Sequence, residues 1–174
     1  MTEVIYNFAM SLDGFIARPS GSFDWLEAFP ADDAFDFSAF MDSITGIVMG
    51  RGSYDAVRAH WDYERWPTTI ATNRPIDDLP ENATASAADP QAMLDDLRAR
   101  GANGRIWLFG GGDLARRFLE AGLLTTVEIA LIPVILGDGV RAFGGAQPDR
   151  WLELESGKAL GNGAMHLRYR VKRA

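Results

Sequence analysis

Three consecutive glycines after a short apolar stretch are the clearest sign of ligand chemistry in this chain. Residues 106–113 read Ile-Trp-Leu-Phe-Gly-Gly-Gly-Asp, and an amphipathic stretch follows from Leu114 to Ala121. The pattern predicts a strand, a glycine turn and a helix whose first backbone N–H groups and dipole attract a phosphate. Glycine also permits positive φ and the close approach of a bulky anion. A tight strand-to-helix connection without a ligand has the same pattern, so both interpretations stay open.

Two further predicted strands end in glycine or polar residues. Gly50 and Arg51 follow the apolar residues 47–49, and the β-rich stretch that begins at Thr68 ends in Thr-Asn-Arg, with Arg74 last. Ligands of parallel sheets bind beyond the carboxyl ends of the strands, and guanidinium groups match phosphate in shape and charge. The three strand ends together predict a dinucleotide site with Arg51 and Arg74 as phosphate partners. Either arginine considered alone is more typical of a solvated loop.

Residues 110–115 also match G-x-G-x-x-A, a variant of the Rossmann dinucleotide motif. We do not expect a full Rossmann domain, because the motif comes late and too little chain follows it for a second half. The sequence has no Gly-Lys-Ser or Gly-Lys-Thr of a P-loop, so nucleotide hydrolysis is not expected.

Asp13 is the candidate proton donor, because it stands with Gly14 directly after the first apolar stretch, residues 4–10. The equally good alternative is that Asp-Gly simply forms a turn. Trp25 follows a glycine-containing loop and is a candidate for the same cleft, although a core tryptophan is the simpler interpretation. A hairpin and a loop over a ligand site both fit the Asp-Gly pair.

The composition excludes several kinds of function. The chain has 174 residues, no cysteine, two histidines and a formal charge of −7. Disulfides, thiolate metal sites and cysteine catalysis are therefore excluded, and no metal site is expected. The negative charge argues against nonspecific nucleic-acid binding. The N-terminal residues do not resemble a signal peptide and no stretch predicts a membrane span, so we expect a cytoplasmic protein without a membrane partner.

Two helices are predicted in the first half of the chain. Apolar residues at helical spacing predict one over residues 33–44, capped by Asp32 or Asp33. A second is predicted over residues 53–59, with Ser53 as its N-cap.

The second half begins with the clearest helix signal. Asp89 as N-cap, a proline directly after it and Gly101 as the stop predict a helix over residues 89–101. A long apolar strand is predicted over residues 124–136, and Pro133 within it implies an edge or a bulge.

Two more strands close the chain, over residues 151–156 and 165–171, with a Gly-Asn-Gly turn between them. Strands and helices alternate before this all-β end. The order predicts an α/β sandwich: a mainly parallel central sheet, helices on both faces and a C-terminal antiparallel hairpin at one edge. We expect a single domain over residues 1–174.

Four motifs make the sequence resemble the dihydrofolate reductase-like family. They are Phe-Ala-Met-Ser-Leu-Asp-Gly-Phe-Ile-Ala at 8–17, Val-Met-Gly-Arg-Gly-Ser-Tyr at 48–54, Leu-Phe-Gly-Gly-Gly at 108–112 and Pro-Val-Ile-Leu-Gly-Asp-Gly at 133–139. The resemblance covers nearly the whole chain. Its closest branch is the reductase domain of bacterial riboflavin biosynthesis and its single-domain relatives.

The resemblance implies a dihydrofolate reductase-like three-layer sandwich that binds NADPH. The implied cofactor residues are Ala9, Gly50, Arg51, Ser53, Thr72, Asn73, Arg74, Gly110, Gly111, Gly112, Asp113 and Leu114. The implied substrate residues are Met10, Ser11, Asp13, Ile16 and Trp25, with Asp13, or a water that it positions, supplying the proton. NADP is favoured over NAD because Arg74 stands where an NAD site favours an acidic residue.

The sequence departs from true dihydrofolate reductases at the residue that grips the pterin, since counting back from residues 49–51 places Ala34 there. We therefore expect an NADPH-dependent reductase of a small heterocyclic substrate, pyrimidine- or pteridine-like, resembling 5-amino-6-(5-phosphoribosylamino)uracil reductase. The alternatives are a nucleotide-binding dimer without turnover and a true dihydrofolate reductase. Members of the family often pair, so we also expect a homodimer built on the terminal strand and the strand that carries Pro133.

Overall fold

The computed structural model describes residues 2–30, 36–145 and 149–173. Its strands are β1 (Val4–Ser11), β2 (Phe15–Ala17), β3 (Ile44–Gly50), β4 (Thr68–Ala71), β5 (Ala83–Ser86), β6 (Arg105–Gly110), β7 (Thr126–Ile132), β8 (Val140–Arg141), β9 (Leu152–Ala159) and β10 (Met165–Val171). Its helices are α1 (Asp24–Glu27), α2 (Phe37–Ser43), α3 (Arg51–Val57), α4 (Pro90–Ala99) and α5 (Gly112–Glu120).

Among the described residues, eight strands form one sheet in the order β5-β4-β3-β6-β1-β7-β10-β9. The first six run parallel to their neighbours, and β10 and β9 continue the sheet in antiparallel pairing. This confirms the predicted α/β sheet with a C-terminal hairpin at one edge. Because parallel strands end at the same edge of a sheet, the carboxyl ends of β4, β3, β6, β1 and β7 lie in one row.

Helices pack on both faces of the sheet. On one face α4 and α5 cover the strands, and Phe118 of α5 joins Leu108 of β6 in a fully buried core. On the other face α2 and α3 pack against Trp107 of β6, with Tyr54 of α3 buried beside them. Leu108 and Trp107 are neighbours in the chain, so the alternation of side chains along a strand divides the two cores.

The helix signals of the second half are confirmed. Asp89 is the N-cap of α4, and its Oδ1 accepts a hydrogen bond from the backbone N–H of Ala92 at 3.0 Å. Pro90 occupies the first turn, where a missing N–H costs nothing. Gly101 follows the helix with φ +94°, a conformation that glycine adopts without strain.

Two local predictions are wrong. Helix α3 begins at Arg51 with Gly50 as its N-cap and no side-chain cap, so Ser53 lies within the helix and does not cap it. Strand β7 ends at Ile132, so Pro133 lies beyond the strand and creates neither an edge nor a bulge. Proline has no N–H to donate to a neighbouring strand, and the strand stops before it.

The start of α2 differs in part from the prediction. The helix begins at Phe37, and its N-cap is Asp36, whose Oδ1 accepts a hydrogen bond from the N–H of Ala39 at 2.8 Å. The predicted caps Asp32 and Asp33 lie outside the described residues.

No helix in the described part of the chain is long and apolar enough to cross a membrane. In residues 2–30, 36–145 and 149–173, no three His, Asp or Glu side chains lie together as metal ligands would. The two histidines are on separate elements. His60 ends a short turn after α3, and His166 on β10 lies 2.9 Å from a carboxylate oxygen of Glu128.

We predict that Gly112→Ala lowers the free energy of unfolding by about 1–3 kcal/mol, the usual cost of forcing an extra group into a packed site. A Cβ there would collide with the carbonyl oxygen of Arg141 and lie 3.0 Å from that of Ala142. Urea unfolding measures the change. Gly52→Ala is the matched control, because its Cβ would meet no atom within 4 Å. Equal stability of the two variants would contradict the prediction.

Candidate active site

The carboxyl ends of β3 and β6 touch through glycine backbone. A Cβ on Gly50 would lie 3.3 Å from the carbonyl oxygen of Gly110 and 3.4 Å from the nitrogen of Gly111. From this contact the chain leaves in opposite directions, since α3 follows β3 on one face of the sheet and α5 follows β6 on the other. Such a reversal opens a crevice at the strand ends, where open α/β sheets bind ligands.

The three glycines of the turn have different surroundings. Gly110 has φ +127°, its peptide bond to Gly111 is cis, and Ser53 Oγ lies 3.8 Å from its Cβ position. A Cβ on Gly111 would meet no atom within 4 Å. Gly112 packs against the carbonyl groups of residues 141–142 and accepts a hydrogen bond from Gly144 N–H at 3.2 Å. Gly111 is therefore the glycine beside which a ligand has room.

The N-terminus of α5 opens beside Gly111 without a side-chain cap. The first N–H groups of an α-helix have no partner within the helix, so they are available to an anion. The carboxylate of Asp113 is exposed and binds Arg116 at 2.8 Å, and Leu114 is buried in the core. A ligand at this turn would therefore meet the backbone of these two residues and not their side chains.

Arg51 links the start of α3 to the loop after β4. Its Nε contacts Asp55 at 2.9 Å and its Nη1 donates to the carbonyl oxygen of Pro75 at 3.1 Å. The preceding turn is closed by Thr72 Oγ1, which accepts a hydrogen bond from the N–H of Arg74 at 3.1 Å. The side chain of Arg74 is exposed and has no ion pair among the described residues. The two predicted arginines thus belong to adjoining segments on one side of the crevice.

A cavity of about 430 Å³ lies between α3 and the loop over residues 75–80. Arg51 and Arg58 line it together with Asp77 and Asp78. Sequence reasoning missed Arg58, although it stands two helical turns after Arg51. The opposing carboxylates reduce the positive potential of the cavity, so an anion would be held by individual contacts.

Asp13 joins two distant loops. Its Oδ1 accepts hydrogen bonds from Ser11 Oγ at 2.7 Å and from Leu136 N–H at 3.1 Å, and its Oδ2 accepts one from Gly137 N–H at 2.8 Å. The bond from Ser11, together with those from the two backbone N–H groups, lowers the pKa of Asp13 below the ordinary value of an aspartate. An ionised carboxylate holds no proton to give, so this geometry opposes Asp13 as the acid and favours the turn-forming alternative.

The residues predicted at the end of β1 and in the loop after it, Ala9 for the cofactor and Met10, Ser11 and Ile16 for the substrate, do not all lie on one face of the sheet. Ser11 is fully buried and its hydroxyl accepts the N–H of Phe15 at 2.9 Å, so it is used within the turn. Ala9 and Met10 point to opposite faces of β1: Ala9 packs near Trp25, whereas Met10 and Ile16 pack against the core that α5 covers. The predicted group therefore divides between the two faces of the sheet.

Two buried N–H donors on the Ala9 face have no partner among the described residues. They are Trp25 Nε1 and Asn7 Nδ2. Trp107 lies across from this stretch of β1 and donates its Nε1–H to the carbonyl oxygen of Asn7 at 3.1 Å. A buried donor without an acceptor is costly, so these two N–H groups are the unsatisfied polar groups of this face. Sequence reasoning missed Asn7, although a lone amide in an apolar strand was a visible signal.

The family model described as the RibD C-terminal domain matches residues 2–77 and 63–166. The chain belongs to this family. It is 30% identical over 171 residues to the uncharacterized protein YwjB of Bacillus subtilis. The alignment covers 96% of this chain and 97% of YwjB.

Solved structures give the same fold. The crystal structure of a putative riboflavin biosynthesis protein from Shewanella sp. PV-4 superposes on this chain with a TM-score of 0.83 and 27% sequence identity. The match covers 99% of this chain and 100% of the Shewanella chain. Dihydrofolate reductase from Enterococcus faecalis, complexed with NADP(H), is 15% identical with a TM-score of 0.69, over 98% of this chain and 97% of that one. This RibD C-terminal domain therefore has the dihydrofolate reductase-like fold that its motifs predict.

We predict that Asp13→Asn lowers the midpoint of thermal unfolding of this RibD C-terminal domain at pH 7 and that the difference from wild type shrinks in acid. The folded pKa of Asp13 is lowered, so its stabilisation is present above the unfolded value of about 4 and is lost as pH falls through the folded value. Thermal melts from pH 7 to pH 3 measure this. A difference in unfolding midpoint that stays constant across that range would show that the ionised carboxylate of Asp13 does not stabilise the fold.

Proposed function

We propose that this RibD C-terminal domain is an NADPH-dependent reductase of a small heterocyclic substrate, pyrimidine- or pteridine-like. The observation that carries the proposal is the crevice between β3 and β6, where no atom lies within 4 Å of the Cβ position of Gly111 and α5 begins without a side-chain cap. Membership of the family supports a reductase role. The dihydrofolate reductase fold, in a relative complexed with NADP(H), supports a nicotinamide cofactor.

The residues at the crevice fit a dinucleotide. The N–H groups at the start of α5 would hold the pyrophosphate, as helix N-termini hold anions. The absence of a side chain at Gly111 gives the cofactor close access to the backbone, and the absence of one at Gly50 lets the ends of β3 and β6 come together. Ser53 would add a hydroxyl from the opposite wall. NADPH supplies hydride when it is bound, and the protein supplies orientation and exclusion of water.

The choice of NADPH over NADH rests on Arg74 and its neighbours. Asn73 and Arg74 are exposed, and Pro75, the next residue, lines the cavity together with Arg51 and Arg58. A phosphate on the adenosine ribose would find the guanidinium of Arg74 without a competing ion pair among the described residues. NADH has no such phosphate and would gain nothing there.

The substrate would bind on the Ala9 face of β1, beside Trp25 and Asn7. Their unpartnered N–H groups would donate to carbonyl oxygens or ring nitrogens of a heterocycle. Asp13 would act as a positioning residue, because its carboxylate fixes the loop over residues 134–137 against the end of β1. The proton would then come from water.

Turnover separates this proposal from ligand binding alone. NADPH oxidation is followed by the loss of nicotinamide absorbance with pyrimidine, pteridine and quinone substrates in turn. The proposal expects oxidation with at least one heterocycle. NADPH binding without oxidation across the panel would favour a nucleotide-binding protein, and tight binding of antifolates with reduction of dihydrofolate would favour a true dihydrofolate reductase.

We predict that Arg74→Ala weakens NADPH binding by about 10–100-fold and leaves NADH binding almost unchanged, because a charge-assisted hydrogen bond to phosphate contributes about 1.5–3 kcal/mol. Quenching of tryptophan fluorescence measures both affinities. Arg65→Ala is the control, since Arg65 is an exposed arginine that pairs with Asp42 away from the crevice. An equal loss for NADPH and NADH would remove Arg74 from phosphate recognition.

A further inference from the structure

A histidine lies on the same face of the sheet as Ala9. In the strand pairing, Ala9 of β1 is opposite Ala130 of β7, and Ala130 is opposite His166 of β10. Directly opposite residues of paired strands point to the same face, so these three side chains form one row across the sheet. Trp25 packs in the same cluster as both alanines. The row therefore begins beside the residues that the proposed function places at the substrate.

The neighbouring row on this face holds a buried carboxylate. Asn7 of β1 is opposite Glu128 of β7, and Glu128 is opposite Arg168 of β10. Glu128 is only 7% exposed, and such a group needs charged or hydrogen-bonding partners. Its Oε1 lies 2.9 Å from Nε2 of His166, and its Oε2 lies 3.3 Å from Nη1 of Arg168. The carboxylate thus holds the imidazole of His166 toward β7, the strand next to β1.

Only a small side chain separates His166 from Ala9 along their row. Neighbouring strands lie about 4.8 Å apart, so two strand spacings, about 10 Å, separate the two backbones. The imidazole points back across this interval, and the methyl group of Ala130 takes up little of it. A ring bound over Ala9 would lie within reach of the imidazole directly or through one water, which is the reach that proton transfer requires.

The groups around His166 differ in their ability to exchange a proton. The ionisable residues of the elements around it are Glu3 just before β1, Glu128 of β7, Glu153, Glu155 and Lys158 of β9, Arg168 and Arg170 of β10, and Asp24 and Glu27 of α1. Lys158 lies opposite His166 in the pairing, and the two arginines are bound to Glu3 and to the glutamates of β9. Imidazole is the side chain whose charge changes near neutral pH, whereas lysine, arginine and carboxylates ordinarily keep theirs there.

Reduction of a heterocycle requires such a group. Hydride transfer forms a C–H bond at a carbon of a C=N or C=O bond and leaves oxidised nicotinamide. The electron pair of that double bond moves to the nitrogen or oxygen, which then takes up one proton. Asp13 does not hold this proton, because three hydrogen bonds keep its carboxylate ionised.

We propose that His166, oriented by Glu128, supplies this proton to the substrate, directly or through a water beside it. The inference rests on the proposed function, since that function places the substrate over Ala9. After the transfer the neutral imidazole regains a proton from solvent. Glu128 is then a positioning residue, because it fixes the imidazole on the substrate side of the sheet.

The pH dependence of turnover is the first test. In wild type, kcat/KM for the heterocycle that is reduced fastest should fall as pH rises through the ionisation of His166. In His166→Gln it should be about 100-fold lower or more near pH 6 and should lack this fall, because glutamine has no proton to give. Affinity for NADPH should stay unchanged. His60→Gln is the matched control, since His60 is exposed on the turn after α3, and it should keep the wild-type profile.

Nuclear magnetic resonance of the histidine side chains provides a second readout that needs no turnover. The chain has two histidines, so the two variants assign both imidazole signals. With NADP⁺ present, 5-aminouracil serves as a pyrimidine probe and pterin as a pteridine probe. At least one probe should shift the His166 signal and change its titration with pH, while the His60 signal should stay in place.

The outcomes separate this proposal from the reductase function itself. A wild type that oxidises NADPH with a pH profile unchanged in His166→Gln would overturn the role of His166 and leave the reductase function in place. If His166→Gln does not fold, the wild-type spectra decide, and a His166 signal that no bound heterocycle moves would overturn the role. A wild type that neither oxidises NADPH nor binds either probe would overturn both.

Discussion

The close contact between the backbones of β3 and β6 is the constraint on which the rest of the site depends. A side chain at Gly50 would press on the peptide between Gly110 and Gly111, so the two strand ends approach only because neither carries a Cβ there. The approach brings the start of α5 beside the end of β3 while α3 and α5 leave toward opposite faces. A crevice with free N–H groups at its base follows from this geometry.

Around that crevice, each loop is held by a bond to a distant segment. Asp13 ties the end of β1 to the loop after β7, Arg51 ties α3 to the loop after β4, and Gly112 packs against the end of β8 and the residue that follows it. These contacts fix the walls before any ligand arrives. Preorganisation of this kind reduces the entropy cost of binding, which suits a site that must orient two molecules for hydride transfer.

The features of the fold that depend on local sequence signals could be predicted from the sequence. Asp89, Pro90 and Gly101 set the bounds of α4 because caps and stops act within one turn, and the three strand ends fell in one row because parallel strands share an edge. It did not predict contacts between distant residues. The hydrogen bonds from residues 136 and 137 to Asp13 join positions more than a hundred residues apart, and the carbonyl groups that pack on Gly112 also come from a later segment of the chain, residues 141–142. The sequence also did not predict that Asn7 Nδ2 lacks an acceptor, because this depends on which residues lie beside Asn7 in the sheet.

The central claim is that a phosphate of NADPH lies beside Gly111. Calorimetric titration of NADPH into wild type and Gly111→Val tests it most directly, because the added side chain enters the open space and meets no protein atom at its Cβ. The account predicts binding to wild type, about 100-fold weaker binding to the variant, and free energies of unfolding that agree within about 1 kcal/mol. Equal affinity of two equally stable proteins, or no binding to wild type, would contradict it.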